Sequence, residues 1–290
     1  MPDFIANFFN IMQTELAFFI GISVVLGLLI GSFLNVVIHR LPKMMEQEWQ
    51  SNCEELQGKE PVTGSKYNLV VPRSACPKCG HQITAMENIP VISYVFLRGK
   101  CSGCKTPISL RYPLIEALTG VLTGLISWHF GYSVMALAAW VFTFALIALT
   151  IIDFDTMLLP DDITLPLLWL GLLFNLNGGF TDLHSAVAGA VAGYLILWSV
   201  YWLFKLVTGK EGMGYGDFKL LAAIGAWFGW QMLPAVILLS SLAGSIIGIG
   251  LIVLTKHGRN IPIPFGPYLA MGGIAALFFG SQLSAFYLGA

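Results

Sequence analysis

Two aspartates and four cysteines are the residues of this chain best suited to chemistry. Asp153 closes the apolar run Leu149-Thr150-Ile151-Ile152, and Asp217 follows Gly214-Tyr215-Gly216 and precedes Phe218-Lys219-Leu220-Leu221. A carboxylate beside a long apolar segment is expensive to keep, and an ionisable residue at membrane depth is a functional-site hypothesis by default. Two such carboxylates facing each other can activate water, which is the chemistry of an aspartyl protease. The cysteines form two knuckles, Cys76-Pro77-Lys78-Cys79-Gly80 and Cys101-Ser102-Gly103-Cys104-Lys105. Four thiolates at about 2.3 Å would make a closed tetrahedral zinc site, structural because no position is left for water. Two disulfides or a dithiol redox pair are the alternatives. A reducing cytoplasm disfavours the first, and doubled knuckles in one small insert favour metal over the second. Cys53 stands alone in a Glu-rich stretch and reads as a free thiol.

Each aspartate also has a plain structural explanation. Asp153 would be an exposed carboxylate where a helix leaves the bilayer, although negative charge at a helix C-terminus is unfavourable. Asp217 would be an N-cap, a position that prefers Asp. Against this, Gly214 and Gly216 remove side chains beside Asp217 and let a peptide backbone approach. The other acids are weaker candidates. Asp155 sits in a loop. One of Asp161 and Asp162, after Pro160, is expected to cap the next helix, and Asp182 to be a loop or cap residue. Glu116, about one turn into a helix, has Arg111, Asn35 and His39 as candidate partners; Asn35 and His39 share a helix face.

The elements that must position these groups are membrane helices. Of 290 residues, 56% are hydrophobic and 11% charged, whereas a soluble domain is about 25% charged. Apolar runs at 16–38, 112–130, 134–152, 163–177, 185–207, 218–230, 232–254 and 264–286 predict about eight transmembrane helices, each needing ~20 residues to cross. The runs 163–177 and 218–230 are short, so they must be tilted, continued by polar ends or shielded by protein. Asp3 and Glu15 precede the first run, with no Lys or Arg. That reads as a retained helix with its N-terminus outside, not as a signal peptide.

Charge then sets the topology. Arg40, Lys43, Lys59, Lys66, Arg73, Lys78, Arg98, Lys100, Lys105 and Arg111 fall in 39–111, Lys210 in 208–217, and Lys256 and Arg259 in 255–263. Lys205 and Lys219 lie near helix ends on the same side, where they can snorkel. All 15 basic residues thus fall inside, the positive-inside pattern, and Asp153 and Asp217 share that cytoplasmic side. The expected fold is an all-α polytopic membrane protein: a first transmembrane helix in 1–38, a small cytoplasmic zinc-binding insert in 39–111, and a seven-helix core in 112–290. Within the insert, Met44–Lys66, with Glu46, Glu48, Glu54, Glu55 and Glu60, reads as an exposed helix or loose loop. The insert's core is small, drawn from Tyr67, Tyr94, Phe96 and a few aliphatics, so metal would supply much of its folding free energy. Gly27-x-x-x-Gly31, Gly189-x-x-x-Gly193 and Gly244-x-x-x-Gly248 allow close helix approach.

Read together and in order, these motifs resemble the type IV prepilin leader peptidases, bifunctional enzymes of the bacterial inner membrane. Gly31-Ser32-Phe33-Leu34-Asn35-Val36-Val37-Ile38-His39-Arg40-Leu41-Pro42 is similar to the family's first-helix signature. Cys76 to Cys104, with Glu87-Asn88-Ile89-Pro90 between, looks like its cytoplasmic zinc domain. Arg111-Tyr112-Pro113-Leu114-Ile115-Glu116 resembles the start of its second helix, Gly214-Tyr215-Gly216-Asp217 its G-x-G-D motif, and Pro264-Phe265-Gly266-Pro267 the start of its last helix. The resemblance implies that Asp153 and Asp217 are catalytic and that the substrates are type IV prepilins and pseudopilins, each a short basic leader followed by an apolar helix, cut after a glycine. It also implies N-methylation of the new N-terminus with S-adenosylmethionine, an activity associated with the four cysteines.

In the mechanism this implies, the aspartates share one proton; the ionised member takes a proton from water and the other polarises the scissile carbonyl. The pair titrates as a unit, so acid and base are not assigned individually. No G-x-G-x-x-G follows a strand, so no soluble dinucleotide-type fold holds the methyl donor. Gly99, Lys100 and Glu116 are candidates that a turn glycine and a helix-anchoring acid explain equally well. Nucleic acid is not an expected partner; the lipid bilayer is. Two rival readings remain, a proton- or ion-coupled secondary transporter and a scaffold docking partners through its zinc domain.

Overall fold

The computed structural model describes residues 2–58, 67–255 and 263–288. Lys59, Glu60, Lys66, Lys256 and Arg259, used in the charge and composition arguments, lie outside the described residues. The described chain is helical, with two isolated β-bridges and no strand. It divides into two compact units, Met1–Trp140 and Val141–Ala290. Each of the predicted apolar runs falls on a helix. Among the described residues, four stretches are long and apolar enough to cross a membrane by themselves: Leu16–Leu56, Val134–Thr156, Leu183–Thr208 and Trp230–Leu251.

In the first unit, α1 (Pro2–Thr14) meets α2 (Leu16–Leu56) at the extended residue Glu15. The sequence reading did not separate α1 from its surroundings. Helix α2 does not stop at residue 38. Its 41 residues are about 60 Å long at ~1.5 Å per residue, about twice a hydrocarbon core. Pro42 is accommodated within it, and the Glu-rich stretch through Leu56 is helical. Helix α4 (Arg111–Phe130) runs antiparallel along α2. A Cβ on Gly27 would come within 2.5 Å of Thr123 Oγ1, and one on Gly31 within 2.8 Å of the Glu116 Cα, so this glycine pair sets the helix spacing. Thr119, Thr123 and Ser127 on α4 donate their hydroxyls to carbonyls one turn back at 2.7, 2.6 and 2.7 Å, which satisfies polar groups inside an apolar contact.

The insert is tied to this helix pair at several points. Arg40, buried near the middle of α2, donates to the carbonyls of Asn68 at 2.9 Å and Pro72 at 2.6 Å and lies over the Tyr67 ring. The Val91 N–H donates to Glu116 Oε2 at 2.7 Å, and Asn35 Nδ2 donates to the Tyr112 carbonyl at 3.2 Å. The expectation that Phe96 helps form the insert's core is wrong. Phe96 ends the short helix α3 (Ile92–Phe96) and is 82% exposed. Tyr94 turns inward instead, with its hydroxyl donating to the Ile108 carbonyl and its ring occupying the space a side chain at Gly99 would need.

The second unit is organised around α8 (Tyr215–Phe228), in which every residue from Leu220 to Phe228 is buried. A helix apolar on all sides must be surrounded by protein or lipid. Here α5 (Val134–Thr156), α6 (Asp161–Asn175), α7 (Leu183–Thr208) and α10 (Gly266–Leu288) all reach it. Gly189 of α7 and Gly225 of α8 meet backbone to backbone, and Gly193 lies on the Leu221 carbonyl. Trp227 packs at a tilt of 46° against Phe142 of α5 and donates its indole N–H to the Leu167 carbonyl of α6 at 2.8 Å. Gly273 of α10 rests on Ile224. The shortness of α8 is therefore met by protein shielding.

The last carbonyls of α8 would be costly if left unpaired in this apolar setting. Asn175 Nδ2 donates to those of Ala226 and Trp227 at 2.8 and 2.9 Å, and Asn175 Oδ1 accepts from the N–H groups of Phe180 and Thr181. Asp182 caps α7, as anticipated, by accepting from Ser185 N–H.

Neither Asp161 nor Asp162 caps α6. Pro160 is the N-cap residue, its carbonyl accepting from Ile163 and Thr164, so both acids lie in the first turn, where the helix dipole still favours them. Asp161 binds Lys219 Nζ with both oxygens at 2.7 Å.

Candidate functional site

Asp153 occupies the last turn of α5 and is 5% exposed. A carboxylate at a helix C-terminus is disfavoured by that helix, and the fold offsets this with a second one. Asp153 Oδ2 accepts from the N–H of Gly266, the first residue of α10, at 3.0 Å, so the acid faces a helix N-terminus, where unpaired N–H groups point outward. Gly266 must be small, because its Cβ would lie 2.6 Å from Asp153 Oδ2.

Asp217 is 6% exposed and stands in the first turn of α8. It is not the N-cap; Gly214 is. Asp217 is the third helical residue and reaches back to accept from the Gly214 N–H at 3.2 Å, the acidic half of a capping box. The two aspartates belong to one cluster. Leu159 fills the space beside Gly216, within 2.7 Å of its would-be Cβ, and also the space beside Gly266. Each carboxylate uses Oδ2 for its backbone bond, which leaves Oδ1 without a protein partner among the described residues. Two nearly buried carboxylates, each held by one backbone N–H, are groups of the kind that take and give a proton in acid–base work.

The loop before Gly214 is held by charge. Lys205 Nζ donates to Glu211 Oε1 at 2.8 Å and to the Tyr201 hydroxyl at 3.2 Å, and it lies over the Tyr201 and Trp202 rings. The ammonium holds the Glu211 carboxyl below its ordinary value. Lys205 thus has a specific partner as well as a place near a helix end. Asn175, Leu159 and Gly266 escaped the sequence reading as site-positioning residues. The available signal for Asn175 was an amide inside an apolar run. Leu159 carried none.

The four cysteines meet in the first unit. Their sulfurs all lie within 4.8 Å of one another, with Cys76 to Cys104 at 3.7 Å and Cys79 to Cys101 at 4.0 Å. A tetrahedron with ~2.3 Å zinc–sulfur bonds has edges of about 3.8 Å, so the cluster can hold a metal ion such as zinc. The knuckles repeat one another. Gly80 N–H donates to Cys76 O and Lys105 N–H to Cys101 O, and the flanks pair as the bridges Ala75 to Gln82 and Lys100 to Pro107. Each turn ends on a left-handed residue, Gly80 at φ 71° and Lys105 at φ 59°. The Thr106 hydroxyl and backbone beside Cys104 hold its thiol at about 6, which favours the thiolate a metal needs, whereas at Cys79 the His81 backbone is outweighed by the neighbouring thiols, which push it up to about 11. Glu87 links the knuckles. Hydrogen bonds from the Ser102 hydroxyl and from the Thr84 N–H and hydroxyl, with His81 alongside, hold its carboxyl at about 2.

Comparison with known proteins decides the family. A family model described as the bacterial peptidase A24 N-terminal domain matches residues 25–130, and one described as the type IV leader peptidase family matches residues 140–249. The chain is 60% identical over 264 residues to a prepilin leader peptidase/N-methyltransferase of Aeromonas hydrophila, covering 90% of this chain and 91% of that protein. The chain belongs to the type IV leader peptidase family. Proteins of the same description from Stutzerimonas stutzeri and Pseudomonas aeruginosa are 58% and 57% identical over 271 residues, covering 93% of this chain and 94% and 93% of theirs. No solved structure matches it. This leader peptidase is a multi-pass protein of the bacterial inner membrane, as its apolar helices and its relatives indicate.

Proposed function

We propose that the protein cleaves the leader of type IV prepilins and of pseudopilins at the cytoplasmic membrane face, then N-methylates the new N-terminal residue. Asp153 and Asp217 are its catalytic pair. The observation that carries this is the arrangement of the two carboxylates, each nearly buried, each anchored through Oδ2 to a glycine N–H, and each with Oδ1 available. The names of relatives at 57–60% identity support a peptidase with methyltransferase activity over the transporter and scaffold readings.

Close carboxylates do not both ionise cheaply, so the pair carries one proton. The ionised member accepts the proton of the attacking water while the protonated one donates to the scissile carbonyl oxygen. The proton then passes to the leaving amine as the peptide bond breaks. Leu159 occupies the space beside Gly216 and Gly266, so room for substrate backbone is left at Gly214, where a Cβ would meet nothing closer than 3.9 Å. The positive-inside pattern supports an N-terminus in the periplasm and an insert in the cytoplasm. Cys76, Cys79, Cys101 and Cys104 would hold zinc as four thiolates, a structural ion that fixes the insert. S-adenosylmethionine supplies the methyl group for the released amine. Gly99 is filled by Tyr94 and Glu116 is engaged by Val91, so no residue of this chain is assigned to the methyl donor.

The test is purified protein with a prepilin in detergent, read by mass spectrometry. Leader loss without S-adenosylmethionine, and leader loss plus one methyl with it, is the expected result. An uncut prepilin in a protein that retains its helical circular dichroism would overturn the proposal.

A further inference from the structure

Helix α3 presents Ile92, Val95 and Phe96 to the outside at 52%, 67% and 82% exposure. They are spaced i, i+3 and i+4, so they share one face. For a small insert with few large apolar residues, leaving its phenylalanine outside is a conspicuous loss of core. The position of the helix explains it. The residue that opens α3, Val91, donates its N–H to Glu116, and Glu116 lies five residues (116 minus 111) into α4. At ~1.5 Å per residue this is about 7.5 Å along the helix from Arg111. The α2–α4 register agrees, because Asn35, three residues (38 minus 35) before the end of the apolar run of α2, bonds the Tyr112 carbonyl. If α4 crosses the membrane and leaves it at Arg111, as its apolar run 112–130 implies, the start of α3 lies below that level.

We propose that α3 is an interfacial anchor, its Ile92–Val95–Phe96 face inserted among the lipids of the cytoplasmic leaflet, so that the cysteine insert lies on the membrane. The depth matches that of interfacial helices, whose apolar faces sink about 5–10 Å into the headgroup and acyl boundary. Charge fits the same occupant. Arg98 and Lys100, both exposed, follow directly, and cations at this level pair with anionic headgroups. Arg98 holds a left-handed conformation at φ 52°, where a helix end ordinarily carries glycine, so the turn places a cation beside the apolar face. The proposal rests on α4 crossing the membrane.

The test places p-benzoylphenylalanine, one site at a time, at Phe96, Val95, Val121 and Lys78 of the full-length, zinc-loaded protein. Each variant is irradiated in nanodiscs containing phosphatidylglycerol, without prepilin. Val121 is mid-way along α4 and 57% exposed; Lys78 is exposed at a knuckle tip. Phospholipid adducts at 95, 96 and 121, and none at 78, are expected. Lipid adducts at 121 with only water-quenched or polypeptide-linked products at 95 and 96 would overturn the anchor while leaving the membrane topology intact. Loss of lipid adducts at 121 as well would overturn the topology and the anchor with it.

Discussion

The cysteine insert and the aspartate bundle hold their reactive groups by opposite means. In the insert only Cys101 of the four thiols is buried, and Val70, Met86 and Phe96 stand in the open. Its order comes from short-range hydrogen bonds around two turns, each closed by a left-handed residue, and from four sulfurs converging. In the bundle, Asp217 begins a helix whose remaining length is buried almost without interruption, and Asp153 touches a glycine whose replacement by alanine would force the carboxylate to shift. With the proposed zinc, the first arrangement would depend on an ion; the second depends on packing. Each should therefore fail under a perturbation that the other survives.

Metal removal should have the largest effect on stability. Structural zinc contributes about 10–16 kcal/mol in small four-ligand domains. Chelation, or Cys76→Ser with Cys101→Ser, should make the insert protease-sensitive while the membrane helices keep their circular dichroism. An insert equally resistant with and without metal would remove the contrast. The complementary perturbation is Gly266→Ala. Its methyl would displace the Asp153 carboxylate, and a displacement of about 1 Å at a catalytic group costs on the order of 10²-fold in rate. Cleavage should fall by that order with zinc content unchanged; normal cleavage would mean that the helix start does not fix Asp153. The smallest effect sharpens the likeness of the two knuckles. Lys105 is in the conformation that Gly80 adopts freely, and a non-glycine residue there costs about 1–2 kcal/mol. Lys105→Gly should stabilise the zinc-loaded insert by up to about 1 kcal/mol, measured by its thermal midpoint.

The same contrast explains what was legible in the sequence. The knuckles are local, so C-x-x-C spacing alone revealed the cluster. The aspartates are 64 residues apart (217 minus 153), and only their apolar flanks, the common side set by charge and the ordered motifs singled them out. The apolar runs located the helices because hydrophobic length is a direct signal. Helix ends were less legible: Pro160 rather than Asp161 or Asp162 caps α6, and Gly214 rather than Asp217 caps α8, because several polar residues compete for each cap. The position of Phe96 was illegible, because composition cannot distinguish an aromatic ring that faces a core from one that faces outward. Asn175, which closes the far end of α8, bonds residues that adjoin it only in the folded bundle.

The central claim is that Asp153 and Asp217 act together on one water. The direct measurement is single-turnover cleavage of a prepilin by the wild-type protein, by Asp153→Asn, by Asp217→Asn and by the double variant, each near-isosteric and each checked for bound zinc. General acid–base groups contribute about 10²–10⁴-fold, and members of one catalytic unit are strongly non-additive. Each single variant should therefore lose at least about 10²-fold, and the double variant should be no worse than the poorer single. Normal cleavage by either single variant, or losses that multiply in the double, would contradict the account.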